Sequence, residues 1–176
     1  MALSEAGPLT RFLARRRVAI GMLVALAAAV LADPTWGSWG AGLAVAVCGE
    51  ALRVWAAGHL EKGREVTQSG PYRLTAHPLY VGTVVMASGI VIASRSVPLG
   101  VLAAAYLGST IFAAVRTEEA FLRQSFGPAY DAYRQAPAPG ARRFSLARAR
   151  RNREHRAVAG LLAGFAFLAL KIGLEI

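Results

Sequence analysis

Cysteine and acidic residues are scarce in this chain, and both shortages limit what it can be. The single cysteine, Cys48, lies inside an apolar run and cannot form an intrachain disulfide, so we interpret it as a small core residue. Basic residues outnumber acidic ones 20 to 10, and the formal net charge is +10. Because 55% of the residues are apolar and the apolar runs are long, we expect a membrane protein with basic flanks rather than a nucleic-acid-binding protein.

Motifs of several enzyme classes are also missing from the sequence. It contains no P-loop, no evident nucleophile–base pair and no metal-ligand spacing. His59 and Glu61 are too loosely placed for a metal site, and we expect both in a solvated loop. No signal-peptide cleavage site is evident after the first apolar run. The pattern favours a transferase that orients a preactivated donor, because orientation alone can contribute about 7–11 kcal/mol.

Five apolar runs predict an all-α, polytopic membrane protein with about five transmembrane helices. They cover residues 18–32, 40–58, 79–94, 99–115 and 157–170, the last within a C-terminal transmembrane helix at 157–174. The third and fourth runs are joined so closely that they must form an antiparallel hairpin. Residues 118–135 place apolar side chains at helical spacing among charges, which predicts an amphipathic segment at the membrane surface, broken at Gly127-Pro128.

Two charged residues interrupt the second apolar run. Glu50 and Arg53 are three residues apart, on one face of the expected helix. Charges at membrane depth usually face a bundle interior or a polar cavity. The sequence leaves two roles open, namely pairing with each other and direct contact with a ligand.

Basic residues are distributed unevenly between the loops. Residues 1–17, 59–78 and 116–156 are basic, whereas 33–39 contains no basic residue and 95–98 contains one. The positive-inside rule then predicts a cytoplasmic N-terminus, an external C-terminus and a cytoplasmic polar face. The arginine-rich segment 138–156 is expected to contact anionic lipid headgroups, since it lacks the aromatic residues typical of nucleic-acid binding.

Aromatic, basic and turn-forming residues cluster at the beginning of the third run, in residues 70–82. Pro78 suits the first turn of a helix, so His77 should precede a helix N-terminus, where free N–H groups and the helix dipole can bind an anion. Tyr72 and Tyr80 can offer rings and hydroxyls to a ligand. The alternative is a membrane-surface loop with interfacial tyrosines.

Four short motifs follow one another along the chain: Gly70-Pro71-Tyr72-Arg73, His77-Pro78-x-Tyr80-x-Gly82, Glu118-Glu119-x-x-Leu122 and Phe126-Gly127-x-x-Tyr130-x-x-Tyr133. This ordered set resembles the integral-membrane methyltransferases typified by isoprenylcysteine carboxyl methyltransferase and the phospholipid methyltransferases. The resemblance covers about residues 50–137 of what we interpret as one membrane domain, 1–176.

The resemblance implies an α-helical membrane fold, S-adenosylmethionine as methyl donor and a lipid-like or prenylated acceptor. Carboxylate O-methylation is favoured. The alternatives are N-methylation of a phospholipid headgroup and a non-catalytic membrane scaffold whose basic segment docks lipids or partners. The oligomeric state stays open.

Carried over by position, the resemblance implies a donor-binding set of Tyr72, His77, Pro78, Leu79, Tyr80 and Glu119. Arg116 lies near the arginine that contacts the acceptor in this family, and Glu118 can take a proton from an amine acceptor. No metal is implied. The chain departs from the family pattern at Ala76, where an arginine usually precedes His-Pro, and in the segments that follow residue 137.

Overall fold

The computed structural model describes residues 26–27, 30–135, 140 and 142–175. In that part of the chain all regular structure is helical, which confirms the all-α prediction. A short 3-10 helix spans Gly70–Arg73. The α-helices are α1 (Trp36–His59), α2 (Pro78–Ser94), α3 (Val97–Phe126), α4 (Pro128–Gln135), α5 (Leu146–Arg151) and α6 (Glu154–Leu174).

Three of these helices, α1, α3 and α6, are long and apolar enough to cross a membrane, and α2 is a shorter apolar helix of 17 residues. They correspond to the last four of the five predicted runs. The first predicted run, 18–32, lies largely outside the described residues. The chain is therefore an all-α integral membrane protein.

Helices α1 and α2 approach each other closely through small residues. A Cβ atom added at Gly49 would collide with the backbone nitrogen of Met86, and one added at Gly89 would lie 2.5 Å from the backbone nitrogen of Ala46. Small residues let helix backbones come together in a membrane, where van der Waals packing replaces the hydrophobic effect as the driving force. This contact fixes the position of α2 on α1.

Helix α6 completes the core at the end of the bundle away from the loop 60–77. Leu161, Phe165 and Leu168 are buried there. The indole nitrogen of Trp39 donates a hydrogen bond of 2.9 Å to the Phe165 carbonyl, which ties α1 to α6. The predicted fifth span is thus part of the same packed core as α1.

The fourth span differs from its predicted boundary. The apolar run that predicts it ends near residue 115, whereas α3 continues without a break to Phe126 and contains 30 residues. At 1.5 Å per residue such a helix is about 45 Å long, longer than the roughly 30 Å of hydrocarbon in a bilayer. Gly127, with φ of 44°, ends it and leads into α4. The predicted amphipathic segment therefore consists of the last part of α3 together with α4.

Helices α2 and α3 form the predicted antiparallel hairpin. Arg95, with φ of 51°, makes the turn, and Ser96 caps α3 by accepting a hydrogen bond from the Leu99 amide. Leu99 is the one buried residue of α3. The helix otherwise presents large exposed apolar side chains, such as Val101 and Phe112.

The charges inside α1 form ion pairs. Arg53 Nε lies 3.4 Å from Glu50 Oε2, and Arg53 Nη2 donates to both carboxylate oxygens of Glu154 at 2.8 and 2.9 Å. Arg53 Nη1 also donates to the hydroxyl of Thr83. Of the two roles that the sequence left open, the structure shows pairing, and this pairing links α1, α2 and α6.

Candidate active site

The beginning of α2 meets the end of α3. His77 is the N-cap residue of α2, with Pro78 in the first turn, as the sequence predicts. His77 Nε2 lies 3.4 Å from Glu119 Oε1, and His77 Nδ1 lies 3.8 Å from Glu118 Oε2. The basic segments 59–78 and 116–156, which the sequence predicts on one face of the membrane, therefore meet at this point.

Tyr80 and Leu79 lie in the first turn of α2, beside this pair. The Tyr80 ring centroid is 5.8 Å from that of His77, and Tyr80 lies near the Glu118 carboxylate. Leu79 is half-buried, and its carbonyl accepts a 2.8 Å hydrogen bond from Thr83. His77, Tyr80, Glu118 and Glu119 thus form one cluster of rings and carboxylates.

Tyr72 joins the cluster from the 3-10 helix. It is 7% exposed, and its carbonyl accepts a 2.7 Å hydrogen bond from the Tyr133 hydroxyl. Burial, and then the nearby Glu118 charge, raise the pKa of Tyr72 well above its usual value. Burial raises the pKa of Tyr133 to about 12. Both phenols are therefore neutral at physiological pH and serve as hydrogen-bonding and stacking groups.

Two residues of α4 near Glu119 were not in the predicted site. Tyr130 is fully buried, and within the described part of the chain its hydroxyl has no hydrogen-bond partner. Burial, and then Glu119, raise its pKa. Arg134 Nη1 lies 3.8 Å from Glu119 Oε1. The sequence could have indicated Tyr130, because it belongs to the last of the four motifs. Arg134 belongs to none of these motifs.

Arg116 lies apart from the cluster. It is exposed, and its guanidinium carbon is 4.9 Å from the ring centroid of Phe112, one turn earlier on α3. This is a cation–π contact within one helix. The structure thus brings together all the predicted donor-binding residues and Glu118, and it places Arg116 on the outer surface of α3.

Comparisons with known proteins identify the family of this chain. Residues 17–129 match the family model described as phospholipid methyltransferase. The chain belongs to the phospholipid methyltransferase family. It is also 30% identical over 151 residues to the nickel-cobalt-cadmium resistance protein NccN of Alcaligenes xylosoxydans xylosoxydans, an alignment that covers 78% of this chain and 70% of that protein. No solved structure matches the chain significantly.

Phospholipid methyltransferases act on lipid-like substrates in membranes, and the matched range contains every residue of the predicted site. It ends one residue before Tyr130. The segment rich in arginine, 138–156, lies wholly beyond it.

Several arginines of this segment bind the protein itself. Arg148 Nε and Arg151 Nη2 donate to Glu61 Oε1 at 2.8 and 3.0 Å, and Arg142 Nη1 lies 2.6 Å from Glu65 Oε1. The hydrogen bond from Arg148 lowers the pKa of Glu61.

The expectation that His59 and Glu61 lie in a solvated loop is wrong. The His59 residue is 6% exposed and the Glu61 side chain 17% exposed. The reason is that residues 142–152 fold back over the end of α1.

Proposed function

We propose that this protein is an S-adenosylmethionine-dependent methyltransferase that methylates a lipid-like acceptor at the membrane. The observation that carries the proposal is the meeting of His77 with Glu119 at 3.4 Å, in a chain that belongs to the phospholipid methyltransferase family. The donor, when bound, supplies a methyl group activated by a sulfonium centre. The residues of this chain then have to bind the donor, orient the acceptor and, where the acceptor is an amine, accept one proton.

The cluster around His77 offers a partner for each part of the donor. The N-terminus of α2 and His77 suit its carboxylate, because unpaired N–H groups and the helix dipole favour an anion there. Glu119 suits the amino group or the ribose hydroxyls. The rings of Tyr72 and Tyr80 suit the adenine or the sulfonium, the latter by cation–π attraction. The buried, unpaired Tyr130 hydroxyl beside them is the kind of group that a polar ligand satisfies.

Methyl transfer is a direct displacement by the acceptor. Whether the protein must also supply a base therefore depends on the chemistry of the acceptor. A carboxylate acceptor needs no base, and Arg116 can hold it through the planar guanidinium. An amine acceptor must be neutral to attack, and Glu118 can then accept its proton. We favour the carboxylate, because exposed Arg116 lies on the surface of α3 where an anionic headgroup would approach from the lipid.

Labelled donor tests the proposed function and separates its two versions. The purified protein is incubated with methyl-labelled S-adenosylmethionine and a total lipid extract that includes prenylated peptides. Label that mild alkali releases as methanol identifies a methyl ester, and label that survives identifies N-methylation. A Glu119→Ala variant is the matched control. Failure of the wild-type protein to bind donor would favour the non-catalytic scaffold.

The active site, in this proposal, faces the cytoplasm, and part of the arginine-rich segment contacts anionic lipid. Five arginines of the segment are exposed, and one of them, Arg151, pairs with Glu61. The other four are Arg143, Arg150, Arg153 and Arg156. Replacing these four by glutamine should weaken the effect of phosphatidylglycerol on activity in reconstituted vesicles. Replacing Arg142 and Arg148, which bind protein groups, should instead lower thermal stability.

The similarity to NccN motivates a second hypothesis, on the physiological setting. That relative is named for nickel, cobalt and cadmium resistance. Among the described residues no group of three or more His, Cys, Asp or Glu is placed to hold a metal ion. We therefore infer that any contribution of this chain to metal resistance would act through methyl transfer. Growth of a deletion strain on these metals, complemented with wild-type or Glu119→Ala protein, tests it.

A further inference from the structure

His59, the last residue of α1, is buried beneath the loop that leads to Tyr72. Its Nδ1 atom is 3.0 Å from the Ser69 hydroxyl, and both residues are almost completely buried. Gly70 follows with φ of 60°, and a Cβ atom added there would lie 2.5 Å from Cδ2 of His59. The imidazole therefore supports Ser69 by a hydrogen bond and Gly70 by direct contact, and only glycine fits above it.

Aromatic rings hold this imidazole from two other sides. The Trp55 ring centroid, one turn earlier on α1, is 6.5 Å away, and that of Phe144 is 6.3 Å away. Phe144 also packs onto Gly58, where an added Cβ atom would collide with its ring. The orientation of His59 thus depends on residues from the arginine-rich segment.

The same segment satisfies the carbonyl groups at the end of α1. The side-chain amide of Asn152 donates to the Ala57 and Leu60 carbonyls at 2.8 and 3.0 Å, and Arg148 Nη1 donates to the Gly58 carbonyl at 2.5 Å. Arg142 Nη1 donates to the His59 carbonyl at 3.3 Å. A helix leaves its last four carbonyls without partners, so these contacts fix the end of α1 from outside the helix.

The fixed imidazole bears directly on the candidate active site. Ser69 and Gly70 are the residues just before Pro71 and Tyr72, and Tyr72 in turn is held through its carbonyl by Tyr133. A shift of Ser69 would therefore move Tyr72 relative to His77 and Glu118.

We propose that His59 is a positioning residue for the methyl-donor site. His59 holds Ser69 and Gly70 so that Tyr72 faces the donor. This inference rests on the proposed function. The inference goes beyond the proposed function, because His59 belongs to none of the four motifs and its contacts come partly from the segment beyond residue 129. His59 itself touches neither donor nor acceptor.

The test compares donor binding in His59→Ala, Ser69→Ala and His155→Ala variants of the full chain by titration calorimetry in detergent. His155 is an exposed histidine at the beginning of α6 and is the matched control. We expect the donor Kd to rise about fivefold in Ser69→Ala, the loss of one hydrogen bond of about 1 kcal/mol, and further in His59→Ala. His155→Ala should bind as the wild type does.

Two further measurements separate positioning from loss of fold. The turnover number at saturating donor should stay near the wild-type value, because His59 acts on binding. Trypsin should cleave after the exposed Lys62 and Arg64 faster in His59→Ala than in His155→Ala. A merely structural role would lower the binding stoichiometry and the melting temperature while the donor Kd of the folded fraction stayed unchanged.

The outcomes distinguish this inference from the proposed function. A wild-type protein that does not bind donor overturns both. A wild-type protein that binds donor, with an unchanged Kd in both His59→Ala and Ser69→Ala, overturns the positioning role alone. Where His59→Ala does not fold, Ser69→Ala decides, because it removes a single hydroxyl and leaves the ring in place.

Discussion

Glu119 Oε1 lies 3.4 Å from His77 Nε2, although 42 residues separate the two along the chain. His77 precedes the first turn of α2, and Glu119 lies in the last third of α3. Their contact closes the polar end of the α2–α3 hairpin, opposite the turn at Arg95. Substitutions of a few side chains at this end can therefore test donor binding, acceptor access and stability.

Loss of either partner should weaken donor binding while the protein stays folded. His77 is the N-cap residue of α2, Glu119 lies about two turns before the end of α3, and both belong to a polar cluster, so His77→Ala and Glu119→Ala remove little packing. A hydrogen bond to a charged group contributes about 1.5–3 kcal/mol, so we expect the donor Kd to rise about 10- to 150-fold. Calorimetry with thermal unfolding as a folding check measures this. Unchanged affinity in both variants would show that the donor binds elsewhere.

Arg116→Lys should affect the acceptor and not the donor. Lysine keeps the charge and most of the reach, but it cannot bind a carboxylate or phosphate through two parallel hydrogen bonds. We expect a lower rate and a higher acceptor KM, with the donor Kd unchanged. Arg123→Lys, two turns further along α3, is the matched control and should behave as wild type. Wild-type kinetics in Arg116→Lys would leave only a membrane-anchoring role for this residue.

The contact between α1 and α2 should tolerate no added methyl group. Gly49→Ala forces a Cβ atom against the Met86 backbone, and overpacking of this kind typically costs about 1–3 kcal/mol. Gly40→Ala is the matched control, because nothing lies within 4 Å of a Cβ atom at that position of the same helix. Denaturation in mixed micelles compares the two. Equal stability of the variants would contradict the close packing of these helices.

Acid should weaken the link between Glu61 and the arginines of α5. The Arg148 hydrogen bond lowers the pKa of Glu61 in the folded protein. Such a carboxylate stabilises the fold above its unfolded-state pKa of about 4.3, and this contribution is lost as the pH falls through the folded-state pKa. Glu61→Gln should therefore lower the melting temperature near neutral pH and have little effect in strong acid. Glu175→Gln, at an exposed site, is the control, and a pH-independent difference would contradict the assignment.

Chemical labelling can test the predicted membrane topology. Cys48 is exposed rather than part of the core, as its position in an apolar run had suggested, so it has to be replaced before labelling. In that background, a cysteine introduced at Ser38 should react with an impermeant reagent from outside the cell, and one at Gln68 should not. Ser38 lies at the beginning of α1, where its hydroxyl donates to the Ala93 carbonyl, and Gln68 lies in the loop after that helix. The reverse pattern of labelling would invert the topology.

The sequence could predict those features of the site that depend on short-range rules. Pro78 fixes a helix start through its own geometry, so the position of His77 outside α2 followed from two residues. The meeting of His77 with Glu118 and Glu119 followed from one further step, because two apolar runs joined by a tight turn must return to the same side of the membrane.

Other features depended on distant partners that no local pattern reveals. His59 and Glu61 are polar residues in a polar stretch, but distant parts of the chain surround them. Ser69, Gly70 and Phe144 pack on the His59 ring, and Arg148 and Arg151 pair with the partly exposed Glu61. The end of α3 was misplaced for a different reason. The charges that begin at Arg116 end the apolar run, but arginine and glutamate are good helix formers, so the helix continues beyond the hydrocarbon.

Because α3 is uninterrupted, its number of residues determines how far Glu119 lies from the turn at Arg95 and in which direction its side chain points. Each residue added between Ser96 and Arg116 turns the rest of the helix by about 100° and lifts it by about 1.5 Å. Removing two residues would point Glu119 away from His77 with little change in height. Removing seven would restore its direction but lower it by about 10 Å. The length of α3 thus fixes the position of Glu119 along the membrane normal. In membranes of different thickness, the headgroups would therefore lie at different heights relative to this carboxylate.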